Sequence, residues 1–170
     1  MAAITVVILI TLDQLTKGLV ERLLTGGESL IVIPGFFQIK MSLNTGAAWG
    51  FLSGTSWGIH ILSLLSLFMS LLIIYWLKDT KDKKSRIVLS LILAGSLGNL
   101  IDRVRVGAVT DFLMFNFGSW YFPSFNFADM CITIGAGLLI LFLLIDKKFL
   151  HSLFRIDPEL GSLGDDDETS

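Results

Sequence analysis

Four long apolar stretches constrain this chain more than any other feature of its sequence. They cover residues 2–20, 57–77, 87–104 and 127–145. A helix needs about 20 mainly apolar residues to cross roughly 30 Å of hydrocarbon, and each stretch approaches that length. Of the 170 residues, 53% are hydrophobic and only 16% are charged, whereas about 25% of the residues of soluble domains are charged. The sequence therefore predicts a mainly α-helical membrane protein with four transmembrane helices.

The first stretch could be mistaken for a secretory signal peptide. It has no basic segment at its start, and Asp13 and Lys17 follow its apolar part where a small-residue cleavage site would be needed. We therefore expect it to be retained as a helix. The length suits a single domain over residues 1–156. Residues 157–170 are rich in acidic side chains and are expected to form a disordered cytoplasmic tail.

Positive charge is unevenly distributed among the segments that connect the stretches. Residues 78–86 contain five basic residues, and three more follow the fourth stretch, so eight of the 13 basic residues lie on one side. Cytoplasmic loops of membrane proteins carry an excess of Lys and Arg. Both termini and residues 78–86 are therefore predicted to face the cytoplasm, and residues 27–56 and 105–126 are predicted to form outer loops.

The first outer loop contains a strand pattern. Residues 37–44 alternate between apolar and polar side chains, and Pro34-Gly35 separates them from the apolar run 30–33. This pattern predicts a small β-hairpin, which should lie at the membrane interface because open sheet edges are not tolerated in hydrocarbon. The second outer loop holds seven aromatic residues, which is typical of the headgroup layer.

Polar side chains at the outer ends of the stretches are the informative exceptions to the apolar pattern. Ionisable groups in or near a bilayer cost several kcal/mol unless they are paired or functional. Seven polar residues at one depth therefore predict a site at the outer membrane surface, and two asparagines of the outer loops lead to the same level. The residues are Asp13, Lys17, Asn99, Asp102, Arg103, Asp111 and Asp129, together with Asn44 and Asn126.

Some of these residues have structural interpretations. Asp13 and Lys17 are four residues apart on one helix face, and we interpret them as an ion pair that supports the helix end. Arg103 could pair with a carboxylate, orient a substrate carbonyl or extend to the interface as long basic side chains do. Gly98 belongs to a run of small residues that allows close helix packing.

Asp111 and Asp129 are the strongest candidates for chemistry. Two carboxylates brought together in a poorly solvated place share a proton, so one can act as a base toward water and the other as an acid. Cys131 is the single cysteine, and His60 and His151 are far apart, so neither a cysteine–histidine site nor a metal-ligand pattern is evident. From the residues alone, a carboxylate pair that handles ions or protons in a small transporter is an equal alternative.

The polar residues fall in five ordered blocks that resemble the lipoprotein signal peptidases, also called type II signal peptidases. The blocks are residues 13–17 (DQLTK), 44–50 (NTGAAWG), 95–103 (GSLGNLIDR), 109–112 (VTDF) and 125–129 (FNFAD). A single block is a weak match, but five in order along a four-span chain are specific. Ser96 departs from the family, which usually has glycine there, and serine is small enough to preserve close packing.

The resemblance implies a bacterial inner-membrane aspartic endopeptidase that processes lipoproteins. Such an enzyme removes signal peptides from diacylglyceryl-modified prolipoproteins, cuts on the N-terminal side of the lipidated cysteine and needs no cofactor or metal. Its partners would be prolipoproteins, membrane lipids and the cyclic peptide inhibitor globomycin, with no nucleic acid. The catalytic pair would be Asp111 and Asp129. The residues expected to line the site are Asn44, Asn99, Arg103 and Asn126, and those expected to support it are Asp13, Lys17, Gly46, Ala47, Ala48, Gly98, Asp102 and Ala128.

Two other classes of function are weaker. A small transporter would place its carboxylates near the bilayer midplane between repeated halves, but no internal repeat is visible and the carboxylates lie at the outer edge. A membrane scaffold without enzymatic activity would not need the cluster of polar residues. We therefore expect a peptidase.

Overall fold

The computed structural model describes residues 2–24, 26–46, 55, 57–146 and 149–154. Four of its helices are long and apolar enough to cross a membrane, which confirms the four predicted spans. A short helix, α5, follows them and was not predicted. The bounds are α1 Ala2–Leu23, α2 Gly58–Asp79, α3 Lys83–Val106, α4 Phe127–Ile145 and α5 Phe149–Phe154.

Helix α3 begins at Lys83, before the predicted start at residue 87. The Asp82 side chain accepts a hydrogen bond from the backbone N–H of Ser85 at 2.8 Å. A cap of this kind satisfies an amide that has no partner within the helix, so polar residues can form the first turn. The helix ends before Gly107, whose φ of 71° is the left-handed conformation that glycine adopts readily.

Helix α3 is the central helix, and it packs against α1, α2 and α4. Small residues make the close approach possible. A Cβ atom at Gly95 would collide with the carbonyl oxygen of Ala128, and one at Gly98 would collide with the Asp13 carboxylate. The predicted packing role of Gly98 is therefore confirmed, and α1 and α4 meet α3 where its polar residues lie.

A four-stranded antiparallel sheet lies at the end of the bundle where α4 begins. Its strands, in spatial order, are β1 Ser29–Ile33, β2 Phe37–Asn44, β3 Val109–Phe117 and β4 Trp120–Tyr121. The first two confirm the predicted hairpin. The other two come from the segment predicted only as an aromatic loop, so the sheet is larger than expected and joins the segments predicted to be outer loops.

Strand β3 was missed because it lacks the alternation of a half-buried strand. Its first four residues, 109–112, are all buried. There β2 is hydrogen-bonded along one edge of the strand, and helices α1 and α3 pack against it. A strand whose successive residues are all buried shows no alternation of burial, and so the period-two pattern could not reveal it.

The apolar core lies toward the opposite end of the bundle. Phe149 and Leu153 of α5 are buried in it, together with Val6 of α1, Ile73 of α2 and Val88 of α3. Helix α5 therefore folds back against the bundle. The apolar core and the sheet thus lie at opposite ends of the bundle, and the polar residues of the helices lie at the sheet end.

Candidate active site

Asp111 and Asp129 line one cavity of about 1040 Å³ at the sheet end of the bundle. Asp111 is a buried residue of β3, opposite Ser42 of β2. Asp129 lies in the first turn of α4. The fold thus brings together two carboxylates that are 18 positions apart in the chain and belong to different elements.

Asn126 links the two aspartates. Its side-chain oxygen accepts from the backbone N–H of Asp129 at 2.9 Å, and its own backbone N–H donates to Asp129 Oδ2 at 3.2 Å. This reciprocal capping box begins α4. The Asn126 Nδ2 atom donates to Asp111 Oδ1 at 2.7 Å. One buried asparagine therefore contacts both carboxylates while it caps the helix that carries one of them.

Two further asparagines occupy the remaining carboxylate oxygens. Asn44 Nδ2 donates to Asp111 Oδ2 at 3.0 Å, and Asn99 Nδ2 donates to Asp129 Oδ1 at 2.7 Å. The backbone N–H of Gly46 donates to Asn44 Oδ1 at 2.9 Å, which turns the amide of Asn44 toward the aspartate. Each of the four carboxylate oxygens thus accepts a hydrogen bond, and both side chains are held in fixed orientations.

The electrostatics of the cavity make Asp111 a weak acid. Burial, and next the negative charge of Asp129, raise the pKa of Asp111 from 3.8 to about 6, against the smaller lowering effect of the bonds from Asn44 and Asn126. Both causes disfavour the charged carboxylate. With a pKa of about 6, about a tenth of the Asp111 side chains keep a transferable proton at pH 7, and about half do so at pH 6.

Behind the cavity, Lys17 forms the centre of a buried ionic network. Its ammonium group lies 2.9 Å from Asp13 Oδ2, 3.0 Å from Asp102 Oδ2 and 3.1 Å from Asn99 Oδ1. An ammonium has three donors, and here each has an acceptor. Asp13 Oδ1 also accepts from the backbone N–H of Ala128 at 2.9 Å. The predicted pairing of Asp13 with Lys17 is confirmed, and the network orients Asn99 toward Asp129.

Gln14 and Thr110 complete this network, and sequence reasoning did not select either. Gln14 Nε2 lies within 3.2 Å of Asp13 Oδ2, Asp102 Oδ1 and the carbonyl oxygen of Gly98. The backbone N–H of Thr110 donates to Asp102 Oδ2 at 3.0 Å. Both residues lie in the blocks that carried the family resemblance, which was the one available signal.

Arg103 lines the cavity, but its hydrogen bond goes to α2. The Nη1 atom donates to Ser66 Oγ at 3.3 Å. Among the described residues, the buried Nε atom has no hydrogen-bond partner and the guanidinium forms no ion pair. Within the described part of the chain, no carboxylate lies at salt-bridge distance from Arg103, and its Nε atom remains as a donor beside the cavity.

The structure assembles nearly all the predicted site residues. Asp111, Asp129, Asn44, Asn99 and Arg103 line the cavity. Asn126 does not line it but is buried beside it, bonded to both aspartates. Among the supporting residues that the structure describes, Gly46 also lines the cavity, and the others lie in or against the network behind it. Ala47 and Ala48 lie outside the described residues. Sequence reasoning did not assign the apolar wall of the cavity to the site. That wall includes Met114, Tyr121, Phe122, Met130 and Ile134.

Within the described part of the chain, no three His, Cys, Asp or Glu side chains are grouped so that they could hold a metal ion. The cavity instead offers two carboxylates, one of which is protonated in part near neutral pH, and a set of amide donors. A paired-carboxylate site of this kind suits acid–base hydrolysis. The fold and the site define the class: a membrane protein with the constellation of an aspartic peptidase.

The comparisons with known proteins agree with this class. A family model described as signal peptidase (SPase) II matches residues 5–145. The chain belongs to the signal peptidase II family and is an aspartic endopeptidase of the membrane.

Several relatives cover most of the chain. A lipoprotein signal peptidase of Symbiobacterium thermophilum is 36% identical over 151 residues, which are 87% of this chain and 97% of that protein. One of Bacillus pumilus is 41% identical, covering 83% of this chain and 90% of that protein. One of Pseudomonas aeruginosa is 40% identical, covering 84% and 86%.

Solved structures show the same fold. A bacterial membrane enzyme determined by the in meso method at 2.3 Å superposes with a TM-score of 0.77, at 36% identity over 86% of this chain and 88% of that one. A second, at 1.9 Å, gives a TM-score of 0.74 at 37% identity, over 85% of this chain and 93% of that one. The arrangement of helices and sheet is therefore shared with known enzymes.

Proposed function

We propose that Asp111 and Asp129 are the catalytic pair of a peptidase that cuts diacylglyceryl-modified prolipoproteins on the N-terminal side of the lipidated cysteine. The observation that carries the assignment is that both carboxylates line one cavity and are joined through Asn126. The substrate class is supported by the relatives, which are lipoprotein signal peptidases.

The surroundings suggest different roles for the two aspartates. Asp129 accepts a backbone N–H at the start of α4, where the helix dipole stabilises negative charge. We assign it as the base that takes a proton from the attacking water. Asp111, with its pKa of about 6, is the acid that protonates the oxygen of the scissile carbonyl. Water attack on the carbonyl carbon then gives a neutral gem-diol.

The second half of the reaction reverses these roles. Asp129 gives the proton it took from water to the amide nitrogen, and the C–N bond breaks. Asp111 recovers a proton from one hydroxyl of the gem-diol, which becomes the carboxyl of the released signal peptide. Both aspartates return to their starting states, so the cycle balances without a cofactor. Chelators such as EDTA should consequently leave turnover unchanged, and loss of turnover with EDTA would contradict the mechanism.

Arg103 and the asparagines would orient the substrate. The Nε atom of Arg103 is buried beside the cavity without a partner among the described residues, and an unsatisfied buried donor is costly. A carbonyl oxygen of the bound peptide would satisfy it. The apolar wall of the cavity, from β3, β4 and α4, offers a surface for the lipid-modified residue. Globomycin, as a cyclic peptide inhibitor, would occupy the same cavity.

The supporting residues would hold this arrangement. Asp13, Lys17 and Asp102 form the ionic network, Gly98 and Ala128 allow α3 and α4 to approach, and Gly46 orients Asn44. We extend the supporting role to Ala47 and Ala48 from the family resemblance alone. Residues 1–156 would form the single peptidase domain, and residues 157–170 an acidic tail without a catalytic part.

The enzyme would reside in the bacterial inner membrane, in contact with its lipids. Eight of the 13 basic residues lie in residues 78–86 or after α4, which favours cytoplasmic termini and a site at the outer leaflet. Cysteines introduced into residues 27–46 or 107–125 should react with an impermeant thiol reagent added outside, and those in 80–83 should not. Outside labelling of residues 80–83 would overturn this orientation.

The catalytic assignment is tested with asparagine variants. Asp111→Asn and Asp129→Asn should each abolish cleavage of a purified lipidated prolipoprotein, because an amide cannot take a proton from water or return it. Both should still fold and bind globomycin. Asp146→Asn, which removes a carboxylate paired with Lys84 at the opposite end of the bundle, is the matched control and should cleave normally. Retention of a tenth of wild-type turnover by either site variant would disprove the two-aspartate mechanism.

A further inference from the structure

Thr110 immediately precedes Asp111 and is completely buried. Adjacent side chains of a strand point to opposite faces. Val109 and Asp111 line the cavity, whereas Thr110 does not. The hydroxyl of Thr110 therefore lies behind the strand, on the side away from the substrate, and takes no direct part in the chemistry.

Two helices hold Thr110 from behind. Its backbone N–H donates to Asp102 Oδ2 of α3 at 3.0 Å. Its hydroxyl donates to Glu21 Oε1 of α1 at 2.9 Å. Glu21 is in turn held by Arg105, whose Nη1 atom lies 2.9 Å from Glu21 Oε2 and whose Nη2 atom bonds Glu21 Oε1. A two-point arginine–carboxylate pair is a rigid anchor.

The sheet gives weaker control of the same position. The register between β2 and β3 shifts between Ile39 and Ser42, and Ser42 is the residue opposite Asp111. An irregularity of this kind disrupts the ladder locally and re-aims side chains. The ladder that would ordinarily fix the direction of Asp111 is thus interrupted beside it, while the bonds of Thr110 lie one residue away.

We infer that Thr110 and Glu21 are positioning residues for Asp111, because the Thr110–Glu21 hydrogen bond fixes β3 against α1 and so sets where the Asp111 carboxylate stands relative to Asp129. The inference rests on the proposed catalytic pair. Neither residue touches the cavity. A displacement of about 1 Å in a reacting group can cost about a hundredfold in rate, so loss of the anchor acts on turnover and leaves substrate binding largely intact.

The first test uses threonine variants of the full-length enzyme with a lipidated prolipoprotein substrate. Thr110→Val keeps the shape and removes the hydroxyl, and it should lower kcat about tenfold or more while KM changes less than about twofold. Thr110→Ser keeps the hydroxyl and should restore kcat to within about twofold of wild type. Thr11→Val is the matched control and should be neutral, because among the described residues the Thr11 hydroxyl bonds the carbonyl of Val7 in its own helix.

A second pair of variants changes Glu21, the hydrogen-bond partner of Thr110. It keeps the inference testable if Thr110→Val does not fold. Glu21→Ala should lower kcat as Thr110→Val does, and Glu21→Gln, which keeps an acceptor oxygen, should be milder. The pH dependence of kcat/KM should also shift in Thr110→Val and Glu21→Ala, because the distance between the two carboxylates sets their interaction. A residue that only stabilised the fold would lower the melting temperature and leave this pH profile unchanged.

The outcomes separate this inference from the proposed function. Full kcat and an unchanged pH profile in both Thr110→Val and Glu21→Ala would overturn the positioning role, even if Asp111→Asn is inactive. A Thr110→Ser variant as slow as Thr110→Val would also overturn it, because the hydroxyl would then be irrelevant. Turnover by Asp111→Asn would instead overturn the catalytic pair.

Discussion

The raised pKa of Asp111 predicts that this carboxylate destabilises the fold in a pH-dependent way. The pKa is about 6 in the folded protein against an ordinary value of 3.8. Between these values the unfolded chain has released the proton and the folded one still holds it, so stability falls as pH rises through this window. Below 3.8 the penalty is absent, and above about 6 it is complete.

The size of the penalty follows from the two pKa values. At about 1.4 kcal/mol for each tenfold change in the ionisation constant, the difference amounts to about 3 kcal/mol. Asp111→Asn removes this penalty. However, Asn44 and Asn126 donate to the two carboxylate oxygens of Asp111, and the amide of the variant has only one acceptor oxygen, so one of these hydrogen bonds is lost. The lost hydrogen bond costs about 1–2 kcal/mol at every pH. The variant should therefore be slightly less stable than wild type at pH 4 and about 1–2 kcal/mol more stable at pH 8.

The measurement is unfolding of the purified proteins in detergent, by denaturant titration and by thermal melting, from pH 4 to pH 8. The difference between Asp111→Asn and wild type should rise with pH, with its midpoint between 3.8 and about 6. Asp146→Asn is the control, because its partner Lys84 is at the surface far from the cavity, and its difference should not rise. A difference for Asp111→Asn that stays flat or falls with pH would refute the electrostatic reasoning.

Three further predictions concern the neighbours of Asp111. Asp129→Asn removes a negative charge that raises the pKa of Asp111, so infrared titration of the Asp111 carboxyl should show a pKa below about 6; an unchanged value would mean that the two carboxylates do not interact. Asp13→Asn breaks a buried ion pair and should lower the free energy of unfolding by about 3–5 kcal/mol. Expression and melting temperature should therefore fall together with activity, and wild-type stability would contradict a structural role. Gly98→Ala places a methyl group against Asp13 and should destabilise the protein by about 1–3 kcal/mol. In the control variant Gly137→Ala the methyl group meets no atom within 4 Å, so this variant should melt as wild type does. Equal melting temperatures of the two variants would contradict the packing argument.

The helices could be predicted from the sequence because their signal is local. Mainly apolar stretches of membrane-spanning length admit little besides a helix, and α4 spans the predicted residues, Phe127–Ile145. The β1–β2 hairpin was similarly accessible through its alternation and its Pro34-Gly35 turn. Strands β3 and β4 were not, because the cover that removes alternation from the start of β3 comes from other elements.

The identities of the site residues could also be predicted from the sequence. The signals were the depth at which polar side chains interrupt the apolar stretches and the five ordered blocks. Their arrangement was not. That Asn126 joins the two aspartates, that Arg103 bonds Ser66, and that Thr110 is anchored by Glu21 all depend on contacts between distant parts of the chain. Hydrophobic periodicity indicates only whether a position faces the bundle. It does not indicate which residue of another element that side chain will contact. The pKa of Asp111 is therefore decided by the tertiary structure, because burial and a neighbouring charge exist only after folding.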